Sequence, residues 1–211
     1  MALLGTGTDG QSASGAPQPR GGAWLRALLL LVLVAGGRGL AFTPAAVAGE
    51  PPLSALENDL KAALLAAFPR YVEWLPGGRV ADAGPMVLAV FGETNLDNEI
   101  REAIKGKTVN GRPLVFKRAA TEEECARGCH ILYIGPEERR RFPGLLNRLR
   151  DVSVLTIGES DDFLERGGII KLVRRERRFK FEVNLTAAKR ARLEISSKLL
   201  KLADAVHGKT K

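Results

Sequence analysis

Residues 85–92 read Pro-Met-Val-Leu-Ala-Val-Phe-Gly, six apolar side chains between a proline and a glycine. A short apolar run with such boundaries predicts a strand that is buried on both faces. Further strands are predicted by similar short runs over residues 114–117, 131–134, 152–157, 169–173 and 179–185. Helices are predicted over residues 54–67, 95–104, 137–150, 161–165, 187–191 and 197–206, with a short one opened by Thr121.

The order of these elements predicts the fold class. Strands that alternate with helices indicate βαβ units, and therefore a mainly parallel sheet with helices on both faces. The last two strands are separated only by the charged residues 174–178, which predicts a C-terminal antiparallel hairpin and makes the sheet mixed. We predict one α/β domain with a mixed, mainly parallel β-sheet.

The first 48 residues have the features of a secretory signal peptide. Arg20 and Arg26 precede the apolar run 27–35, and the small residues Ala46-Val47-Ala48 follow it. Nine apolar residues are too few to cross a bilayer, which needs about 20. We expect cleavage after Ala48 and a periplasmic protein; the alternative is an N-terminal membrane anchor that is retained. The predicted organisation is a signal peptide over 1–48, a short linker over 49–52, the α/β domain over 53–207 and a tail over 208–211.

The composition is that of a globular protein with an excess of basic residues. Of 211 residues, 45% are hydrophobic and 27% are charged, and the formal net charge is +8. Such a charge is typical of proteins that bind nucleic acid or anionic membranes. Export would place the chain outside the cytoplasm, so we expect no nucleic acid partner. The charge would then keep the protein soluble or steer it towards an acidic protein or lipid surface.

The first predicted helix carries a regular apolar stripe. Ser54 and Glu57 have the spacing of a capping box, with Ser54 as the N-cap. The apolar residues that follow at helical intervals are Leu53, Leu56, Leu60, Leu64 and Ala67. We expect this stripe to be buried against the core.

The two cysteines, Cys125 and Cys129, lie four residues apart. On one helix their Cα atoms would be about 6 Å apart, which is within disulfide range. A disulfide and two buried free thiols both remain open on this evidence. A metal site built with His130 would need a fourth ligand, and the other histidine, His207, lies near the C-terminus, so we predict no metal and no cofactor. The chain also has no nucleophile elbow, phosphate loop or dinucleotide-binding motif, and we predict that it is not an enzyme.

Polar residues of the last strand form one candidate partner-binding site. Glu182 and Asn184 point to the face opposite Phe181 and Val183, and they need partners if that face is covered. We expect those partners to be polar residues at the start of the last helix, namely Ser196, Ser197 and Lys198. The set is either a partner-facing polar site or a network of caps and ion pairs that holds the last helices on the sheet.

The aromatic residues Tyr71 and Trp74 form a second candidate site. They either anchor a protein–protein interface or close the first helix against the core.

Six segments together resemble the YfiR family over roughly residues 56–206. They are Phe-Pro-Arg-Tyr-Val-Glu-Trp (68–74), Gly-Lys-Thr-Val-Asn-Gly-Arg-Pro-Leu (106–114), Cys-His-Ile-Leu-Tyr-Ile (129–134), Gly-Gly-Ile-Ile (167–170), Phe-Glu-Val-Asn-Leu (181–185) and Ile-Ser-Ser-Lys-Leu-Leu (195–200). The resemblance implies a small periplasmic α/β protein without catalytic activity. It also implies restraint of an inner-membrane diguanylate cyclase through that enzyme's periplasmic domain, whose release raises cyclic di-GMP and favours biofilm formation.

The chain departs from the family pattern at three positions. Pro69 stands where relatives continue a helix, so we expect a kink there. Lys171 replaces a neutral polar residue. Ala89 stands where relatives often have the cysteine that bonds the residue matching Cys129, so the family's usual bridge lacks one partner.

We therefore predict a non-catalytic periplasmic regulator that binds and restrains the sensing domain of an inner-membrane diguanylate cyclase or histidine kinase. The sequence leaves open whether the protein forms a homodimer. The alternative function is a periplasmic small-molecule sensor or solute-binding module that serves a transporter or a kinase.

Overall fold

The computed structural model describes residues 53–77, 84–176 and 178–208. The predicted signal peptide and linker lie outside these residues, as does all of the predicted tail except Gly208. No helix within the described residues is long and apolar enough to cross a membrane.

The helices are α1 (Leu53–Ala67), α2 (Asp97–Ile104), α3 (Glu122–Gly128), α4 (Phe142–Leu149), α5 (Leu185–Arg190) and α6 (Ser197–Leu200), with 3₁₀ turns at Phe68–Tyr71 and Pro136–Glu138. The strands are β1 (Val72–Trp74), β2 (Met86–Phe91), β3 (Thr108–Val109), β4 (Arg112–Ala119), β5 (Ile131–Ile134), β6 (Leu155–Gly158), β7 (Ile170–Arg175), β8 (Arg178–Asn184), β9 (Leu193–Ile195) and β10 (Ala205–His207).

The main sheet has eight strands in the order β10-β8-β7-β6-β5-β2-β4-β3. Strands β4, β2, β5, β6 and β7 run parallel to one another. Strand β3 pairs with β4 in the antiparallel sense, and β7 and β8 form the antiparallel hairpin. Strand β10 then pairs with β8 in parallel. The predicted mixed, mainly parallel sheet and the C-terminal hairpin are confirmed.

Strand alternation divides the interior into two cores. In β2, Leu88 and Val90 contribute to the core that includes α1 and α2, whereas Ala89 and Phe91 contribute to the core that includes α3 and α4. Successive side chains of a strand point to opposite faces, so a fully apolar strand requires a cover on each face. The helices on both faces are confirmed.

Three predicted helices are wrong in extent. The helix expected over 137–150 is interrupted and restarts as α4, where Pro143 stands in the first turn and its missing N–H costs no helical hydrogen bond. Residues 161–165 form turns rather than a helix. The helix expected over 197–206 ends at Leu200, because the chain adds β10 to the edge of β8.

Helix α1 exposes most of the stripe that we expected it to bury. Its buried residues are Ala62, Leu65 and Ala66, all in its second half. Leu53, Leu56 and Leu60 are 79%, 51% and 46% exposed, so the prediction is wrong for the first two turns. The helix already includes Leu53, which places Ser54 inside the first turn instead of at the N-cap. It ends at Ala67, and Pro69 follows in a 3₁₀ turn, so the α-helix stops before this proline, where we expected a kink.

Candidate partner-binding site

Strands β1 and β9 form a separate two-stranded antiparallel ribbon. Val72 lies opposite Ile195, Glu73 opposite Glu194, and Trp74 opposite Leu193. The ribbon therefore joins the first and last of the six segments quoted above.

The inner face of the ribbon is part of the core. Val72, Leu193 and Ile195 are buried there, and Trp74 packs partly buried beside them. The indole Nε1–H of Trp74 donates a hydrogen bond of 3.1 Å to the carbonyl oxygen of Ser153. Trp74 thus attaches the ribbon to the rest of the domain. Of its two predicted roles, interface anchor and core packing, this contact corresponds to core packing.

The outer face of the ribbon borders an open cleft of about 480 Å³. Tyr71 and Ser196 extend this face by one residue pair, since the Ser196 N–H donates to the Tyr71 carbonyl at 2.9 Å. The residues that line the cleft are Arg70, Tyr71, Val72, Glu73, Asn110, Glu194 and Ser196. The structure therefore brings together two of the predicted site residues, Tyr71 and Ser196.

The pair Glu73 and Glu194 gives this face an unusual charge distribution. Both side chains are exposed, and their residues lie directly opposite each other in the ribbon. Like charges at opposite positions of an antiparallel pair are destabilising. Within the residues that the structure describes, neither carboxylate forms an ion pair. The arrangement can accept a basic side chain from another molecule.

An apolar groove of about 370 Å³ adjoins the cleft at Glu194. Its lining is formed by Leu75, Leu185, Leu193, Ile195 and Leu200, with Lys189 and Glu194 as the charged members. Leu75 is exposed at this groove and lies directly after β1. The cleft and the groove together are called the ribbon site below.

Glu182 lies elsewhere, at the centre of an ion-pair network on the hairpin. Its carboxylate is 3.2 Å from Lys171, 3.2 Å from Arg175 and 3.1 Å from the ring of His207. Burial alone would raise the pKa of Glu182, but hydrogen bonds from Lys171 and His207 outweigh it and lower the pKa below the ordinary range. The network ties β10 to the hairpin.

Asn184 caps helix α5. Its Oδ1 accepts the Ala187 N–H at 3.0 Å, and its Nδ2 donates to the Leu164 carbonyl at 2.9 Å. Ser196 caps α6 in a similar way, accepting the Lys198 N–H at 3.2 Å, and the Lys198 side chain is exposed. Among the described residues, neither Glu182 nor Asn184 bonds to Ser196, Ser197 or Lys198. The expected partners were therefore wrong: the partners of Glu182 lie in β7 and β10, and those of Asn184 are the backbone groups of Leu164 and Ala187.

Comparison with known proteins identifies the family of the domain. A family model described as YfiR/HmsC-like matches residues 58–204. The chain belongs to this family. The YfiR/HmsC-like family is a regulatory, non-catalytic and periplasmic one, which supports a periplasmic regulatory role in cyclic di-GMP signalling. A search of curated proteins found no match.

Two solved structures have limited similarity to this YfiR/HmsC-like chain. One is a conserved domain protein from Vibrio cholerae, with 13% identity and a TM-score of 0.47 over 71% of this chain. The other is an ABC domain in complex with L-Trp from Streptococcus pneumoniae, with 11% identity and a TM-score of 0.47 over 69% of this chain. The chain spans 60% of the length of each of them.

A partly buried polar cluster of this YfiR/HmsC-like domain was not predicted from the sequence. The hydroxyl of Tyr133 donates to Glu159 at 2.5 Å, and Lys61 Nζ lies 2.9 Å from the other carboxylate oxygen of Glu159. Burial and the charge of Glu159 raise the pKa of Tyr133 far above its ordinary value, so the phenol remains a donor. A tyrosine within an otherwise aliphatic strand was the available signal. The cluster fastens α1 to the ends of β5 and β6.

His130 is held by hydrogen bonds at the start of β5. Its Nδ1 accepts the Val87 N–H at 3.2 Å, and an Arg112 guanidinium nitrogen lies 2.8 Å from its Nε2. In the part of the chain that the structure describes, no group of three or more His, Cys, Asp or Glu side chains could hold a metal ion.

Cys125 and Cys129 are both free and fully buried in the second core. The Cys129 thiol contacts the Glu124 carbonyl at 3.5 Å. Hydrogen bonding with Cys129, together with burial, raises the pKa of the Cys125 thiol above its ordinary range. The structure therefore describes the second of the two alternatives, two buried free thiols.

We expect neither cysteine of the folded protein to react with a soluble thiol reagent, because both side chains are fully buried and the reagent cannot reach them. In denaturant without reductant, both should react. Mass spectrometry after alkylation counts the labels. If the denatured protein takes up no label until reductant is added, the two cysteines are bridged and this prediction is wrong.

Proposed function

We propose that this protein binds the periplasmic sensing domain of an inner-membrane diguanylate cyclase or histidine kinase and restrains that enzyme. The proposal includes export with cleavage after Ala48. To change the activity of its partner, the protein must bind one conformational state of the receptor more tightly than the other, since equal affinity shifts no equilibrium.

The observation that carries the proposal is the composition of the ribbon site. It combines an aromatic side chain, Tyr71, an exposed apolar groove that begins at Leu75, and two carboxylates without an ion-pair partner in the described residues. Aromatic anchors beside an apolar surface with charged groups at its rim are typical of protein–protein interfaces. We infer that the receptor contributes an apolar side chain to the groove and a basic one to the Glu73–Glu194 pair.

Tyr71→Ala should weaken receptor binding at least tenfold if Tyr71 is an anchor of the interface. The measurement is affinity capture from membrane extracts, followed by identification of the receptor and titration with its purified periplasmic domain. Glu73→Lys should weaken binding further at low ionic strength, because it would repel a basic residue of the receptor.

Glu102→Lys serves as the matched control. Glu102 is an exposed residue of α2 whose one ion pair among the described residues is with Lys105 at 3.5 Å, so its reversal should leave binding unchanged. In cells, Tyr71→Ala should raise cyclic di-GMP if the receptor is a cyclase. Receptor binding that survives both Tyr71→Ala and Glu73→Lys would remove the ribbon site from the proposal.

The apolar groove also favours a second candidate function, binding of a small apolar molecule. Its volume of about 370 Å³ lies at the lower end of the range of ligand pockets. A ligand of this kind should raise the thermal midpoint in a concentration-dependent way. Leu75→Gln should abolish that shift if the ligand occupies the groove, because Leu75 is an exposed residue of its lining.

A further inference from the structure

The exposed leucines of α1 form a regular seam. Leu53, Leu56 and Leu60 follow the three-and-four spacing of heptad positions a, d and a, and Ala63 continues the series. All four are exposed, although α1 itself belongs to the folded domain through Ala62, Leu65 and Ala66. Leu53, Leu56, Leu60 and Ala63 are called the α1 seam below.

The exposure of the seam does not result from a loose attachment of α1 to the domain. Lys61 forms an ion pair of 2.9 Å with Glu159 and lies 5.2 Å from the ring centre of Phe179. Glu57 forms a second ion pair, of 2.8 Å, with Arg174 of the hairpin. These contacts hold the first half of α1 on its inner side, so the leucines on its outer side are presented by a fixed helix.

The spacing of the seam indicates what can cover it. Leucines at positions a and d pack against the same pattern on another helix, as knobs into holes. A sheet edge or a flat lipid surface offers no such complement. The seam extends over about three helical turns.

The charges beside the seam determine which kind of helix can bind there. Position g next to the seam is Asp59, which is exposed and has no ion-pair partner within the described residues. Position e on the other side is Glu57, whose charge is already paired with Arg174. The outer side of the first two turns therefore carries one uncompensated negative charge and no positive one.

This charge argues against a second copy of the chain as the occupant. A twofold contact places the same surface on both subunits, so two copies crossing near Leu60 would bring Asp59 towards Asp59. Anionic lipid is disfavoured by the same charge. A helix with Lys or Arg beside its apolar stripe fits both the leucines and Asp59.

We propose that the α1 seam docks an amphipathic helix of a partner protein that carries a basic residue at the position facing Asp59. The seam is a second interaction surface, distinct from the ribbon site. The inference holds whether or not the ribbon site binds the receptor, because it is tested at position 60.

The test replaces Leu60 with the photo-crosslinking residue p-benzoylphenylalanine in the full chain, in the cells that produce it. Leu60 is nearly half exposed, so the replacement should not prevent folding. Mass spectrometry identifies the crosslinked segment. We expect a segment of another protein with apolar residues at helical spacing and Lys or Arg beside them.

Charge reversal makes the result specific. Asp59→Lys in the same chain should lower the crosslink yield about threefold to tenfold, because an attraction becomes a repulsion of similar size. Asp151→Lys is the matched control, since Asp151 is an exposed aspartate that follows α4, on the opposite face of the sheet. It should leave the yield unchanged. The same photo-residue at Leu202, an exposed leucine outside α1, should not capture that segment.

The proposal is overturned by a crosslink to a second copy of this chain, to its own leader or to lipid, and also by the absence of any crosslink. It is equally overturned by a partner segment with acidic flanks, or by a yield that Asp59→Lys does not change.

Discussion

Glu182→Gln should lower the free energy of unfolding by about 2–3 kcal/mol at about pH 7, among the largest effects of a single substitution in this protein. The Glu182 side chain is 8% exposed and Lys171 beside it is 15% exposed. Loss of the carboxylate charge leaves Lys171 largely buried without its counter-charge. Arg175 and His207 are about half exposed, so water can solvate them once the carboxylate charge is removed. The loss in free energy of unfolding is therefore smaller than for a fully buried ion pair.

The effect should depend on pH in a defined direction. Because the folded pKa of Glu182 lies below its ordinary value, the unfolded state binds the proton more readily. The stabilisation is complete above the ordinary glutamate pKa of about 4.3 and is lost as the pH falls through the lower folded value. The difference between the parent protein and the variant should therefore shrink in acid.

Urea denaturation of both proteins at several pH values measures this difference. Glu123→Gln is the control, because Glu123 forms an exposed ion pair with Arg127 on α3 and should change stability very little. A difference between parent and Glu182→Gln that stayed constant down to about pH 3 would show that the charge of Glu182 is not what stabilises the hairpin.

Phe163→Ala should lower the free energy of unfolding by about 3–5 kcal/mol, the range for truncation of a buried phenylalanine. Phe163 is fully buried in a turn between β6 and β7, and its ring centre lies 5.8 Å from that of Phe142 in α4. The ring also fills the space left by two glycines. A Cβ at Gly158 would lie 2.4 Å from a Phe163 ring atom, and a Cβ at Gly168 would lie 2.2 Å from one.

This packing explains why residues 167 and 168 are glycines, and it provides a second test of the role of Phe163. Gly167 has a φ of +99°, and Gly168 makes room for the ring. Gly168→Ala should destabilise the protein by about 1–3 kcal/mol through overpacking. Phe163→Leu in that background should recover part of the loss, since the two sites share one space.

Gly128→Ala is the matched control. Gly128 ends α3 without positive φ, and a Cβ there would meet nothing within 4 Å, so stability should stay unchanged or rise slightly. Denaturation midpoints of the four variants measure the effects. If Gly168→Ala is as harmless as Gly128→Ala, the ring does not confine this glycine.

Local sequence patterns were sufficient to predict the central sheet. Strands β2, β5 and β6 are mostly apolar and are buried on both faces, and such runs can satisfy their backbone and side chains only inside a covered sheet. The charged stretch 174–178 likewise predicted the hairpin, because a short polar connection allows little except an antiparallel return. Residue type and near-neighbour spacing carry this information.

The ribbon site could be predicted only in part. Tyr71 was a candidate, but the outward placement of Glu73 beside Glu194 follows from pairing between β1 and β9, which are three residues long and far apart in the chain. Strands this short have almost no pattern of their own, and their conformation depends on what they pair with. The groove beside Leu75 depends on the same pairing.

The same reason explains the errors in β10 and α1. Residues 205–207 continue an apparent helical pattern, yet the unpaired edge of β8 and the carboxylate of Glu182 hold them as a strand. The leucines of α1 have the spacing of a buried stripe, and only the position of the helix on the sheet shows that its second half is buried instead. Periodicity defined which residues share a face. Whether a face is covered was decided by contacts between segments far apart in the chain, since burial depends on the neighbours that tertiary structure supplies.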